Sequence, residues 1–187
     1  MRDRTCSRSG MRSACLAGVL VIAASVLGGC AWPVVDRGPV PAFSQSKTDV
    51  WAVLPLKNNT ETPQAGQRAA SIAHSVLASH GFVNVVRYPA SGDDETLFDP
   101  AKPDQQQTAL DWARAQHARY AITGSVNEWR YKVGVDGEPA VGLTFDVVEV
   151  DTGKVVWTTS GARTGWSRSA VSGVAQRLER QMLSPLR

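Results

Sequence analysis

Histidines, acids and cysteines are the side chains of this 187-residue chain that are best able to do chemistry. The three histidines are His74, His80 and His117, and none of them lies in a metal-binding pattern such as HExxH. His74 and His80 are six residues apart on a predicted helix, so their side chains do not share a face. The sequence contains no G-x-S-x-G nucleophile turn and no glycine-rich phosphate loop. These patterns predict no metal site and favour a chain that is not an enzyme.

The acids Asp93, Asp94 and Glu95 form the one carboxylate cluster with catalytic potential. Two carboxylates that flank a glycosidic bond can hydrolyse it, so a carboxylate-based hydrolase is one hypothesis. A solvated loop is the simpler interpretation, because residues 89–103 carry a glycine and three prolines. We therefore predict no catalytic residue in this chain.

Cys30 follows two glycines at the end of an apolar run, in the stretch SVLGGCAW. Upstream, four arginines precede the apolar stretch ACLAGVLVIAASVL, which is the order of a secretory signal. The apolar stretch is shorter than the ~20 residues that a membrane-spanning helix needs. Leu-Gly-Gly-Cys resembles the bacterial lipobox, in which the cysteine is acylated and becomes the first mature residue. We predict a signal peptide over residues 1–29, with Met1 or Met11 as the start, although an ordinary signal with an accidental cysteine is the alternative.

The predicted lipid on Cys30 decides where the mature chain lies and what it can bind. Ala31 follows the cysteine in place of aspartate, which resembles the signal for the outer membrane, so we predict a lipid anchor on its periplasmic side. Without the four arginines and Asp3 of the signal, the 20 basic and 17 acidic groups become equal in number. A mature chain with no net charge lacks the basic surface of a nucleic-acid-binding protein, so we predict no nucleic-acid partner.

The mature chain divides into a tether and one domain. Residues 30–49 combine the lipidated cysteine with three prolines and no sustained periodicity, which predicts a flexible tether. Residues 50–187 have the length of a single periplasmic domain. Their periodicities predict the order βαβαβββα, an α/β (α+β) fold with a mixed sheet flanked by helices. Thr62 with Pro63 is expected to begin the first helix, and Gly81 is expected to end it.

The last strand but one and the last helix have clear periodic signals. Val141, Leu143, Phe145 and Val147 alternate with smaller or polar residues, as in a strand with one buried face. Near the C-terminus, Ser167 or Ser169 is expected to cap a helix with one apolar stripe. The members of that stripe are Val171, Val174, Leu178 and Met182.

Tryptophans are the second class of informative residues, since the chain has six. Trp129 and Tyr131 lie two apart on one predicted strand around Arg130, and this pair suits either a core or a subunit contact. Trp166 lies in a polar turn between Arg163 and Arg168. An indole beside two arginines suits a membrane interface, and the alternative is a hydrophobic staple that packs on the core.

Two parts of the sequence resemble known lipoproteins. The opening WAVLPLKNNTETPQAGQRAASIAHSVL resembles periplasmic domains related to the curli secretion channel and to penicillin-binding-protein activators. The later stretches WRYKVGVDGEPAVGL and SGARTGWSRSAVS resemble the PelC family, the outer-membrane lipoproteins of the Pel exopolysaccharide export system. This second resemblance covers residues 50–186 and is densest from Gly124 onward.

The PelC resemblance implies a non-enzymatic ring, a dodecamer beside an outer-membrane export porin with periplasmic repeats. Such a ring would guide a cationic polysaccharide, with an acidic side toward the periplasm and a basic side toward outer-membrane lipid. In such a ring, Asp136 and Glu138, in the hairpin DGE, would repeat their charge around the opening. Trp166 matches an aromatic residue of the membrane-facing loop and would act with Arg163 and Arg168 against lipid head groups. We would look for the subunit interface around Trp129, Arg130 and Tyr131. No cofactor and no metal is implied beyond the covalent lipid on Cys30, and the alternative function is a monomeric lipoprotein that activates a cell-wall synthase.

Overall fold

The computed structural model describes residues 33–39, 47–89, 103–134 and 137–186. The predicted signal peptide, Cys30, the acids at 93–95 and Asp136 lie outside these ranges. None of the described helices has both the length and the hydropathy required to cross a bilayer. Residues from Pro33 onward group into one compact unit.

Six strands and three helices make up the described chain. In order they are β1 (Val34–Arg37), β2 (Val50–Asn58), α1 (Ala65–Ser79), β3 (Asn84–Arg87), α2 (Pro103–Ala115), β4 (Tyr120–Tyr131), β5 (Pro139–Glu149), β6 (Lys154–Thr164) and α3 (Val171–Met182). The strands form one sheet in the spatial order β1-β6-β5-β4-β2-β3. Strand β2 runs parallel to β3 and β4, and the remaining pairs are antiparallel. The predicted α/β fold with a mixed sheet flanked by helices is confirmed, with one strand more than predicted.

The additional strand β1 lies inside the segment that the sequence assigned to the tether. It pairs antiparallel with β6, from Val34 opposite Ala162 to Arg37 opposite Thr159. The Arg37 guanidinium also donates a 2.7 Å hydrogen bond to the backbone oxygen of Gln181 in α3. The sheet therefore begins at residue 34, and the predicted start of the folded domain at residue 50 is corrected. A four-residue strand between prolines has no periodicity of its own, because its stability comes from the edge of β6.

Helices α1 and α3 cover one face of the sheet and enclose the main core. Trp51 of β2 lies at its centre, with ring centroids 5.0 Å from those of Phe82 and Tyr120. The predicted stripe of α3 is confirmed, since all four of its members are buried. Large side chains at this spacing pack on one face because a helix repeats every 3.6 residues.

Helix α2 lies on the opposite face and covers only the β2 side of it. Ala52 and Leu54 of β2 pack there with Ala109 and Ala113 of α2 in a second, smaller core. The other strands of that face, β4, β5, β6 and β1, carry mostly short polar side chains and have no described helix over them. We call this surface the open face, and its residues are introduced with the groove below.

The helix ends show where local sequence signals were misleading. Helix α1 begins at Ala65 after Gln64, whose φ is 60° and whose side chain makes no capping hydrogen bond. The Thr62 hydroxyl donates instead to the backbone oxygen of Trp129, so its predicted capping role is wrong. Helix α3 likewise begins after Ala170 with no side-chain cap, which corrects the prediction of a serine cap. Gly81 follows the end of α1 with φ 90°, as predicted for a glycine stop.

Candidate functional site

Trp166 lies in the turn between β6 and α3 and is 86% exposed. An indole that packed as a hydrophobic staple on the core would be largely covered, so the staple alternative is wrong. Indole rings combine a large apolar surface with one polar N–H group, which is why they favour the boundary between water and lipid. The turn therefore exposes to water an indole whose apolar surface would be more stable at the boundary with lipid.

The backbone of this turn is held in place from two sides. The Gly165 N–H donates to the Pro139 oxygen at 2.8 Å, and the Ser169 N–H donates to the Trp166 oxygen at the same distance. A Cβ atom at Gly165 would lie 2.5 Å from Cγ2 of Val174, so the chain passes α3 too closely for any side chain. Because its base is fixed against β5 and α3, the turn can hold Trp166 outward without a packing partner.

Two cations flank the exposed indole. Arg168 is exposed and Arg163 is half-buried, and neither pairs with a carboxylate of the described residues. No described carboxylate therefore competes with an outside anion for their guanidinium groups. Exposed tryptophan with unpaired arginines is the combination expected at an anionic bilayer surface.

The β4–β5 hairpin brings Glu138 close to this turn. Glu138 is exposed, its backbone oxygen accepts a 2.7 Å hydrogen bond from the Lys132 N–H, and it directly precedes Pro139, which binds Gly165. Glu138 and Trp166 therefore lie at the same end of the sheet. The sequence analysis assigned Glu138 to the acidic ring and Trp166 to the membrane-facing loop, and within one subunit these two residues are neighbours. Asp136 lies outside the described residues.

Trp129, Arg130 and Tyr131 differ sharply in exposure. Trp129 is 3% exposed and belongs to the main core, so packing within one subunit accounts for it and its predicted subunit contact is corrected. The pairing of β4 with β5 shifts register between Val126 and Glu128, and this bulge turns Trp129 to the helix side of the sheet. Tyr131 is 53% exposed, and Arg130 is exposed and paired with Glu128.

The open face contains a groove of about 990 Å³ that the sequence analysis did not single out. It runs across β1, β6, β5 and β4 to the loop after β2. Its polar lining includes Asp36, Asn59, Glu61, Asn127, Glu128, Arg130, Thr144 and Ser160. The alternation of apolar and polar residues along β5 was the available signal, since it implies one covered face and one free face.

A hydrogen-bonded network fixes the polar side chains beside this groove. The Asn127 amide donates to the Thr144 hydroxyl at 3.1 Å and accepts from the Asn59 amide at 3.0 Å. The Ser125 hydroxyl also donates to the Asn127 side-chain oxygen, at 3.1 Å. Mutually bonded side chains lose less freedom when a ligand arrives than free ones would.

Glu179 of α3 is an ionisable residue in the core, and the sequence analysis did not predict its burial. It is 0% exposed, and its carboxylate has no hydrogen-bond partner among the described residues. Burial raises the pKa of the Glu179 carboxyl well above its ordinary range, because the ionised form loses its hydration. The group is therefore held in the folded chain in its neutral form over more of the pH range than a free carboxyl.

The histidines of the described chain serve separate local roles. Nε2 of His74 lies 3.2 Å from the backbone oxygen of Val85, and His117 lies in the turn after α2 with φ 57°. Within the described ranges, no three histidine, cysteine or acidic side chains are grouped as metal ligands would be.

Comparison with known proteins gives one strong likeness. No protein-family model matches the chain, and no curated protein sequence matches it significantly. Among solved structures, a variant PelC dodecamer from Paraburkholderia phytofirmans is 44% identical, covers 82% of this chain and 97% of its own, and has a TM-score of 0.70. A second PelC dodecamer from the same organism is also 44% identical, covers 83% and 97% of the two chains, and has a TM-score of 0.68. The chain described here therefore belongs to the PelC family.

Proposed function

We propose that this chain is a lipoprotein of the Pel export system, a non-enzymatic subunit of a ring that guides a cationic polysaccharide to an outer-membrane porin. The observation that carries the proposal is 44% identity to PelC dodecamers over most of the chain. The same likeness favours a ring over the alternative of a monomeric synthase activator. The ring would be a closed assembly of one repeated contact, and twelve is the number found in the similar structures.

Two features would attach the ring to the membrane. The acyl chains on Cys30 would anchor each subunit on the periplasmic side of the outer membrane, and several chains together hold far more firmly than one. Trp166 would enter the lipid boundary, with Arg163 and Arg168 against anionic head groups. The outward projection of Trp166 from a fixed turn supports this arrangement.

The acidic hairpin would then lie close to the membrane. Since Glu138 is at the same end of the sheet as Trp166, its copies, with those of Asp136, would surround the membrane-side opening of the ring. Repeating a charge around an opening adds the fields of all copies, which would attract a cationic polymer at its exit to the porin. The contact between subunits would include Arg130 and Tyr131, whose side chains are exposed at the end of β4.

The first experiment tests the assembly itself. The lipidated full-length protein, purified in detergent, should form annular particles in electron micrographs and a single large species in sedimentation. A protein that remains monomeric at high concentration, in detergent and in lipid, would contradict the ring and favour the activator.

The second experiment tests the membrane-facing turn. Trp166→Ala should reduce binding of the unlipidated protein, with Cys30→Ser, to vesicles containing anionic lipid, because the indole and its interfacial contact are lost. Val155→Ala is the matched control, since Val155 is an exposed apolar residue in β6 at the other end of the sheet. Equal loss in both variants, or no loss in either, would argue against a specific role for Trp166.

The third experiment tests the acidic hairpin. Asp136→Asn with Glu138→Gln should lower the amount of polysaccharide outside the cell while ring formation is retained. Asp151→Asn, an exposed acid in the turn between β5 and β6, provides the control. Unchanged export in the hairpin variant would remove both acids from the proposed site.

A further inference from the structure

The groove on the open face is a recess that the proposed membrane anchoring does not use, and Arg130 is the one described residue of its lining that the proposed ring contact includes. Its floor is low, because Gly142 and Ala162 contribute little or no side chain. One side is formed by β1, and the other by the loop that carries Asn59 and Glu61. Ligand sites commonly occupy ~300–1,000 Å³, so about 990 Å³ is room for a short run of sugar rings.

The charges of the groove favour a cation. Three carboxylates line it, from Asp36, Glu61 and Glu128, against the single guanidinium of Arg130. Arg130 is already bonded to Glu128 at 3.0 Å. Asp36 and Glu61 are exposed and form no ion pair with the described residues. An ammonium group that entered the groove would therefore meet two carboxylates that pair with no described lysine or arginine.

The neutral lining favours a polyol. Asn59, Asn127, Thr144 and Ser160 offer amides and hydroxyls, which both donate and accept hydrogen bonds, as sugar hydroxyls do. The Asn127 network holds three of these residues in position before any ligand arrives. A fixed polar surface with excess carboxylate matches a sugar chain that carries amino groups.

We infer that the open-face groove binds a segment of an amino-sugar polymer, with Asp36 and Glu61 facing its ammonium groups and the Asn127 network facing its hydroxyls. This inference rests on the proposed function, since a cationic polysaccharide is the polymer to be exported, and it adds a contact surface apart from the hairpin acids. Among the described residues that line the groove, the one aromatic side chain is Trp129, which is buried and therefore not available for stacking on a sugar ring. Each site would therefore bind weakly, so that the polymer can dissociate and be transported. Many copies of the site in one ring would together raise the overall affinity.

The test uses the mature lipidated protein in detergent and two defined probes. The probes are glucosamine oligomers and N-acetylglucosamine oligomers of the same length, and binding is measured by titration calorimetry at low salt. Glucosamine oligomers should bind more tightly, and Asp36→Asn with Glu61→Gln should weaken that binding about three- to tenfold, as expected for two exposed charge pairs. Asp151→Asn should have no effect, and the difference between the probes should shrink as salt is added.

The outcome that overturns the inference is distinct from failure of the proposed function. Glucosamine binding that is unchanged in the Asp36/Glu61 variant but lost in the Asp136/Glu138 variant would leave the guiding role intact and reject the groove. Absence of any glucosamine binding by well-formed rings would also reject the groove. Absence of rings would reject the proposed function, whatever the probes do.

A second copy of the chain is the other occupant that the groove could have. Ser160→Cys places a thiol in the groove lining, and it should react with a maleimide in assembled rings as fast as in dissociated subunits, because Ser160 is exposed. Protection of this thiol in the ring alone would show that a neighbouring subunit covers the groove and would overturn the inference. Melting curves of the Asp36/Glu61, Asp151 and Ser160 variants should coincide with that of the parent, since these four residues are exposed.

Discussion

The two faces of strands β4, β5 and β6 have opposite compositions, although alternate residues of the same three segments form both of them. On the covered face, Leu143 and Phe145 are buried in the main core, and α3 packs against their strand. On the open face, Thr144 and Ser160 are at least partly exposed. The Thr144 hydroxyl accepts a hydrogen bond from the Asn127 amide, and the Ser160 side chain makes none of the described hydrogen bonds. Because side chains alternate along a strand, one segment of sequence supplies both the core and a free polar surface. Stability should therefore depend on the covered face, and binding should depend on the open one.

The largest effect should come from the covered face. Leu178 of α3 is fully buried, and its Cδ1 atom lies against Gly161 of β6. Leu178→Ala should lower the free energy of unfolding by about 2–5 kcal/mol, through lost apolar burial and the cavity left behind. Urea denaturation measures this directly. A loss below ~1 kcal/mol would mean that the α3 packing contributes less than its burial implies.

A pH-dependent effect should follow from Glu179, which lies within the same helix. Its folded pKa is raised by burial, so above pH ~4.3 the unfolded chain releases a proton that the folded chain retains. Stability should then fall with rising pH, by up to about 1.4 kcal/mol per unit, until the folded pKa is reached. Glu179→Gln should remove this component, so its gain over the parent should grow from pH 5 to pH 7. Parallel pH profiles of parent and variant, from urea denaturation, would refute the assignment.

A smaller effect is expected from the open-face network. Asn127→Ala removes its three side-chain hydrogen bonds, to Asn59, Ser125 and Thr144. Since these bonds are exposed to water, the expected loss is about 0.5–1.5 kcal/mol of unfolding free energy. The same variant should also bind glucosamine oligomers more weakly, and its loss of binding free energy should exceed its loss of unfolding free energy. A loss as large as that of Leu178→Ala would contradict the division between the two faces.

The smallest effect should be that of a groove residue outside the network. Ser160 is exposed and its side chain makes none of the described hydrogen bonds. Ser160→Ala should change the unfolding free energy by less than ~0.5 kcal/mol. A melting temperature that drops by many degrees would show that the open face contributes to the stability of the fold, although its residues are exposed.

Sequence reasoning succeeded where the structure is decided by local periodicity. The stripe of α3 and the alternation along β5 follow from helix and strand repeats, which do not depend on distant residues. The stop at Gly81 also follows from a local rule, because glycine tolerates the positive φ found there. The predicted helix cap at Thr62 was wrong because its hydroxyl donates to the backbone oxygen of distant Trp129 instead. The predicted serine cap of α3 was also wrong, since that helix begins after Ala170 with no side-chain cap.

Pairing over long distances decided what the sequence alone left open or misplaced. Strand β1 exists only because residues 34–37 meet the edge of β6, more than 120 positions away in the chain. The bulge near Glu128 is a property of the β4–β5 pairing, and because of it Val126 and Trp129, three positions apart, both lie in the main core. Neither result can be derived from residue periodicity, since both depend on register between strands.

By itself, the amino-acid sequence determined the periodic elements, the mixed α/β class, the lipobox-like signal and the resemblance to the PelC family. Only the tertiary structure decided which residues share a surface: it placed Glu138 beside the Trp166 turn and brought β1, β4, β5, β6 and the loop after β2 together around the groove of the open face. The physical reason is that periodicity is set by local backbone geometry. Neighbourhood, in contrast, is set by strand order and register, which depend on the packing of the whole domain.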